Sequence, residues 1–430
     1  MKLSSILGLN ARTQLFSYPY NTAQRKKNAD SKIQTAKILA KAEIPHPQIY
    51  KKFVMPSDLN DFGWNLPEKF VLKPSRGLGG EGIVVVKKRS KDRKTFTSSQ
   101  KEKLSLDDLK LHILDILEGA YSLGNVPDVA FLQEYVGRHK AFRRWAFRGT
   151  PDIRIIVFNK VPVMAMLRLP TRESGGRANL HQGAIGAGVD IATGITTKAI
   201  LNGEYIHTKP GTEKKLHGIK IPEWEKILET AVSAQIASKL GFIGVDIVLH
   251  PEKGPMVLEL NEEPGLSIQL ANGTGLKKRL ERVEDLEVKD TEQGVKIAKL
   301  LFAGPFIDRV KVEEGIKTVH IFETVKVRSS KGRKVAVEAK LDTGAWRTSI
   351  DETLAKDLGL LEEGNILWYK KVKSALGIQE RPVIDLIFWL AGRKVETSAN
   401  IADRRDLKKK IVIGRKALKG FLVSPELKME

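Results

Sequence analysis

The sequence predicts an α+β chain: a mixed helix–strand domain over residues 1–305, a linker at 306–317 and a small all-β unit over 318–430. Three observations carry this. A glycine-rich loop, Gly77-Leu78-Gly79-Gly80-Glu81-Gly82, lies between two short strand patterns. From residue 129 onward, helical spacing gives way to β-rich runs broken by one long helical pattern. Beyond Ala303-Gly304-Pro305, a strong stop signal, the chain reads as short strands.

The elements follow in order. Residues 1–70 read as helices and turns; Asp30-Ser31 caps a helix over Lys32–Ala42, ended by Pro45 and Pro47. Phe70–Pro74 is a short strand, and Ile83–Val86 returns from the glycine loop as the other arm of a hairpin. Residues 87–104, polar and Ser/Thr-rich, read as an exposed loop. Leu106–Leu123 has helical spacing. Val129–Leu132, Ile153–Phe158 and Val161–Leu169 are strands, the last two joined by a turn at Asn159-Lys160. A second glycine-rich stretch runs from Ser174 to Gly194. Trp224–Leu240 is helical, Gly244–Leu249 and Met256–Leu260 are adjacent strands, and a charged helical segment covers about 275–303.

With 430 residues, 41% hydrophobic and 29% charged, the chain has the composition of a globular protein of two or three domains. It has no cysteine, which excludes disulfides, cysteine nucleophiles and thiolate metal sites. No apolar run is long enough to span a bilayer, and Met1–Tyr20 lacks the pattern of a secretory signal, so a cytoplasmic location is expected. The formal charge of +22 suits an acidic partner such as nucleic acid or the ribosome. The clusters Lys87–Lys91 and Lys408–Lys410 have no aromatic neighbours placed to stack bases, which favours a lysine-rich surface instead.

Two groups of residues suggest nucleotide chemistry. Lys73 ends a buried strand beside the glycine loop, where Gly77, Gly79 and Gly80 let backbone N–H groups approach phosphate oxygens. Asp246 lies on one strand, and Glu259 and Asn261 lie two apart on the next, hence on one face. Their neighbours Val245, Ile247, Val257 and Leu260 are core-like, and an acid inside such strands is expected to be paired or metal-bound. One or two carboxylates with nucleotide phosphates suit Mg²⁺.

Lys73 with its loop, Gln133-Glu134-Tyr135-Val136, and Asp246 followed by Glu259-Leu260-Asn261-Glu262-Glu263-Pro264-Gly265 resemble the ATP-grasp superfamily in order and spacing. Pro151–Phe158, Met164–Arg172 and Ala178–Ala184 bring the resemblance closest to the alpha-L-glutamate-ligase-like proteins related to RimK, over most of residues 1–285. The resemblance implies an ATP-dependent carboxylate–amine ligase that works through an acyl-phosphate. It implies ATP and Mg²⁺ (or Mn²⁺) as cofactors, and an amino-acid donor with a peptide or small-molecule acceptor. It implies Lys32 and Lys73 as ATP-binding lysines, Gln133, Glu134, Tyr135 and Val136 as the adenine hinge, and Asp246, Glu259 and Asn261 as magnesium ligands. Arg154 and Arg168 would face the reacting phosphate or the substrate carboxylate, and Asn179 and His181 the acceptor. The chain departs from the family at Lys140, where an acid commonly grips the ribose, and its segment before Lys73 is short.

In the second domain, Asp342-Thr343-Gly344 follows the alternating run Val335, Val337, Ala339, Leu341, expected to supply one buried face. With Lys410–Leu418 and Ala399–Arg405, it resembles the RimB-like retropepsin-type family over about 318–425. That family is sometimes described as zinc proteases, but His320 is the only histidine here and there is no cysteine. The resemblance implies an aspartic peptidase with Asp342 as its catalytic acid. A single Asp-Thr-Gly leaves three alternatives: a homodimer sharing two Asp342 side chains, a second acid such as Asp385, or a non-catalytic peptide-binding module.

Overall fold

In the computed structural model, which describes residues 3–60, 66–77, 79–91, 95–302, 317–374, 377–404 and 409–425, the chain separates into two units, Met1–Glu284 and Asp285–Glu430. Leu78, the stop signal at Ala303-Gly304-Pro305 and nearly all of the expected linker 306–317 lie outside the described residues.

The first unit holds two sheets. One is six-stranded, in the order β1 (Ile49–Phe53), β6 (Ala130–Glu134), β2 (Phe70–Pro74), β3 (Val84–Arg89), β4 (Thr95–Ser98), β5 (Lys103–Ser105). Three of its strands, β1, β4 and β5, were not expected, the last two falling on the segment 87–104 read as a loop. Residues 95–98 form β4 because Phe96, fully buried, stacks edge-on against Phe70 with centroids 5.9 Å apart. One aromatic anchor therefore outweighs the polar residues around it. Ile49–Phe53, within the segment expected to be helices and turns, pairs along β6 as an edge strand. The helix Leu106–Leu117 covers this sheet. A capping box starts it, in which Ser105 and Asp108 exchange hydrogen bonds, and Leu109, Ile113, Ile116 and Leu117 form its buried stripe.

The other sheet is seven-stranded, in the order β11 (Glu204–Ile206), β10 (Thr196–Leu201), β9 (Ile185–Val189), β8 (Val161–Leu169), β7 (Asp152–Phe158), β12 (Phe242–His250), β13 (Gly254–Asn261). The turn between β7 and β8 places both Asn159 and Lys160 at positive φ, 50° and 60°. This is the primed-turn geometry that matches strand twist. Strand β12 is buried from Phe242 to Leu249. The helix Trp224–Ser238 packs on β12 and β13. The charged segment after residue 275 is two helices, Lys277–Glu281 and Thr291–Phe302.

The second of these belongs with the second unit, so the division falls before it rather than at 303–305. Lys296 of that helix pairs with Asp385 at 3.0 Å, and Gln293 Nε2 donates to the Ile366 carbonyl at 2.9 Å. The sheet of this unit runs β15 (Phe322–Arg328), β16 (Lys334–Asp342), β21 (Ile411–Gly414), β17 (Thr348–Asp351), β20 (Arg393–Ala402), β19 (Gly377–Leu390), β18 (Ile366–Ser374). A further β15–β19 pairing closes six of these strands into a barrel. Val325, Val327, Ala339, Leu341, Ile384, Leu386 and Phe388 fill it. The expected inward face of β16 holds at Ala339 and Leu341, but Val335 is 38% exposed, because the strand's first residues lie outside the barrel core.

Candidate functional site

A cavity of about 470 Å³ opens in the first unit, lined by β2, β3 and β6 of one sheet and β7, β8, β12 and β13 of the other. Its volume suits a nucleotide-sized ligand. Its apolar lining is Val71, Ile83, Val85, Val136 and Leu258, together with Tyr135. Gln133 and Glu134 also line the cavity, but their side chains serve the fold. Gln133 Nε2 donates to the Pro47 carbonyl at 3.2 Å. Glu134 accepts from Gln48 N at 3.1 Å and from Lys253 Nζ. Burial would raise the Glu134 carboxyl, yet these two donors hold it below its ordinary range. What this part of the lining offers a planar base is therefore Tyr135, Val136 and the aliphatic side chains.

The two lysines stand beside the glycine loop. Ser31 caps the helix Lys32–Lys41 by accepting from Gln34 N. Lys32 opens that helix, and its Nζ donates to the Gly77 carbonyl at 3.1 Å and lies 3.9 Å from Glu259. Gly77 cannot be replaced cheaply: a Cβ there would stand 2.2 Å from Pro74 Cγ. Gly79 and Gly80 have φ of 62° and 84°, a region other residues avoid. Lys73 is buried, and among the described residues no carboxylate pairs with it. Burial first, and the neighbouring Lys32 second, push its ammonium down to about 7.

A phosphate beside Lys73 favours the charged amine, so nucleotide binding is expected to take up a proton above about pH 7. Affinity should be flat below that pH, where Lys73 is already charged. Above it, affinity should fall by up to about tenfold per unit. Titration calorimetry with a non-hydrolysable ATP analogue, in buffers of different ionisation enthalpy, measures the uptake. Lys73→Met should bind several-fold more weakly and lose the uptake, and Lys32→Met should bind more weakly but keep it. A flat pH profile with no proton uptake in the unaltered protein would remove Lys73 from the phosphate site.

Cross-strand register assembles the charged floor. Asp246 faces Glu259 on one side and Arg154 on the other, and Asp152 faces Arg168. Arg154 grips Asp246 with two bonds of 2.7 Å. Arg168 binds Asp152 at 2.5 and 2.6 Å and reaches Asp246 at 2.6 Å. Two guanidiniums thus balance two buried carboxylates in forked geometry. Burial alone would raise Asp246, but the two arginines hold it well below the carboxylate range. Burial first, and the Asp246 charge against the pull of Arg168, raise Asp152 to about 6.

Asn261 Nδ2 donates to Asp246 at 3.2 Å, which orients its Oδ1 as an acceptor. Glu259 is the most exposed acid of the group, with its side chain 37% accessible. Two carboxylates and an oriented amide oxygen, facing the two lysines, fit Mg²⁺ shared with phosphates, although both Asp246 oxygens are also held by arginine. Among the described residues, no three His, Cys, Asp or Glu side chains group together, so the set here is Asp246 and Glu259 with the Asn261 amide.

Asn179 and His181 line the cavity on the far side of the glycine loop. Asn179 Nδ2 donates to the Gly79 carbonyl at 3.0 Å, and its Oδ1 accepts from His181 N. Asn179 therefore ties the loop to the opposite wall, and His181 is exposed. Sequence reasoning missed Asp152, Lys87, Arg148 and Arg177, all in the lining. Asp152 stands two residues from Arg154, so period-2 spacing would have put it on the same face. The loop arginines carry no such signal.

In the second unit, Asp342 ends β16 with Gly414 as its partner on β21. Its Oδ1 accepts from Gly344 N at 2.9 Å and Ala345 N at 3.1 Å. Asp385, the second acid considered, lies on β19, one strand from β16 through β15, and is paired with Lys296 at 3.0 Å.

No curated protein matches the chain. Among solved structures, the ATP-grasp ligase PsnB in complex with a minimal precursor aligns at 15% identity and TM-score 0.34, covering 62% of each chain. The D-alanine–D-alanine ligase of Bacillus anthracis aligns at 14% and 0.30, covering 67% of this chain and 70% of that one. The simian foamy virus (mac) protease aligns at 22% and 0.17, covering 22% and 88%. None of these alignments is close enough to carry the assignment. A family profile described as sugar-transfer associated ATP-grasp matches residues 11–285, over half of the chain and nearly all of the first unit. ATP and Mg²⁺ are the cofactors of ATP-grasp ligases, and the chain belongs to the sugar-transfer-associated ATP-grasp family.

Proposed function

We propose that the chain is an ATP-dependent carboxylate–amine ligase related to RimK, which joins glutamate or another amino acid to a peptide or small-molecule acceptor. The observation that carries this is the convergence in one cavity of Lys32, Lys73, the glycine loop, Glu259, Asn261 and the arginine–aspartate floor. With ATP and Mg²⁺ bound, a substrate carboxylate attacks the γ-phosphorus, ADP leaves, and an amine displaces phosphate from the acyl carbon. Lys32 and Lys73 hold the phosphates. Asp246, Glu259 and Asn261 would hold the metal, which would neutralise charge on the phosphates. Arg154 and Arg168, fixed by Asp246 and Asp152, need no reorganisation when charge moves onto the transferred group. Incubating the protein with ATP and panels of amino acids and peptides should release ADP together with an amide product visible by mass spectrometry. ATP loss with no new amide in any panel would count against the ligase reading.

A second reading concerns the barrel. The Asp342 carboxylate, held by two N–H groups at a strand end, supports a retropepsin-like aspartic peptidase that borrows a second Asp342 from a homodimer. The alternative is a non-catalytic peptide-binding module. In the full chain, peptidase activity should fall on dilution and vanish in Asp342→Asn while ATP turnover persists. Absence of cleavage with every acidic peptide and ligase product would leave the binding module.

A further inference from the structure

Residues 138–148 and 207–220 carry nine lysines and arginines and one acid, Glu213. The fold brings the two segments together. Lys209 Nζ and Lys214 Nζ both donate to the Arg144 carbonyl at 3.5 Å, and Trp145 Nε1 donates to the Lys215 carbonyl at 3.0 Å. Between them lies a second cleft of about 370 Å³, with Arg144, Lys214, Lys215 and His217 around Trp145 and the buried Ile219.

The charge continues toward the ligase cavity. Arg138 donates to the Ala146 carbonyl at 2.7 Å, and its Nε is buried without a partner. Arg148 lines the cavity itself, and its carbonyl accepts from Lys87 Nζ at 3.2 Å. Among the described residues, none of the nine cations forms a salt bridge, although Lys/Arg–carboxylate pairs occur elsewhere in the unit. Their crowding has a cost. Burial, then Arg138 and Arg148, lowers Lys87, and burial, then Lys214 and Arg138, lowers Lys209. Anionic ligands relieve such repulsion.

We infer that this tract, from Arg148 and Lys87 at the cavity to the cleft at Trp145, binds an acidic polypeptide segment and feeds one end of it to the ligase site. Carboxylates along an extended peptide meet the lysines and arginines, and an apolar side chain fits over Trp145 and Ile219. Nucleic acid fits less well. Phe142 is buried, Phe147 lies under Arg148 and Arg172, and the Trp145 N–H is tied to Lys215, so no row of aromatic faces is free for bases. The delivery step rests on the ligase reading, but binding does not.

The test uses the full chain without nucleotide and a fluorescein-labelled oligoglutamate, read by anisotropy across a salt series. The unaltered protein should bind it and release it as salt rises. The triple variant R144E/K214E/K215E should bind about tenfold or more weakly. Its affinity for a non-hydrolysable ATP analogue should be unchanged, which certifies the fold and separates this proposal from the ligase reading. Undiminished oligoglutamate affinity in that variant, or salt-insensitive binding by the unaltered protein, would overturn the tract. An RNA oligonucleotide of equal length binding more tightly than oligoglutamate at the same salt would overturn the choice of partner.

Discussion

Glu259→Ala is expected to cut ATP turnover by about a thousandfold, the scale of losing a preorganised charge contact at a phosphoryl group. The fold should survive the change. Glu259 lies at the partly exposed edge of the charged floor, and its nearest cation, Lys32 Nζ, is 3.9 Å away. A pair that long and that open contributes under about 1 kcal/mol to stability. The large effect on turnover and the small effect on folding thus separate a ligand from a structural acid. Glu259→Gln, which keeps shape and loses charge, should be nearly as inactive, and added Mg²⁺ should not restore it. Full ADP release by either variant at ordinary magnesium would take Glu259 out of the chemistry.

Arg168→Met should cost stability as well as turnover. It strips Asp152 of the guanidinium that grips it and takes one of two arginines from Asp246. Removing one member of a buried charge group costs about 3–5 kcal/mol. The loss should depend on pH. Burial and the Asp246 charge already hold Asp152 above its ordinary range, and without Arg168 burial raises it further. The folded variant then binds more protons than the unfolded chain, so its deficit grows as pH rises and shrinks in mild acid. Urea unfolding at about pH 5.5 and about pH 8 should show the difference, and adding Asp152→Leu should recover part of it. A deficit below about 1 kcal/mol that does not change with pH would contradict the paired floor.

The contrast between these two residues shows what the sequence discloses. Glu259, Asn261 and Asp246 were legible because acids set at period 2 in apolar strands stand out. Lys73 was legible because a glycine loop follows it. The grip of Arg168 on Asp152 was not legible, since it depends on the register of β7 against β8, which local pattern does not specify. The strand around Phe96 was hidden because one buried ring decided it against a polar background. The helix Thr291–Phe302 reads as amphipathic whichever unit it covers, and contacts such as Lys296 on Asp385 and Gln293 on the Ile366 carbonyl place it with the barrel. The cationic tract joins residues 65 and 70 positions apart through a backbone carbonyl, which local pattern does not disclose.

The central claim is that this cavity activates a carboxylate with ATP. It is tested most directly by supplying ATP with amino acids and oligoglutamate whose carboxylates carry ¹⁸O, then reading the isotope in the released phosphate by mass spectrometry. Attack of the carboxylate on the γ-phosphorus, followed by amine displacement at carbon, leaves one substrate oxygen in the phosphate. The account predicts ADP and ¹⁸O-labelled phosphate formed in step with the amide, and their absence in Glu259→Ala. Unlabelled phosphate, or AMP with pyrophosphate, would contradict it.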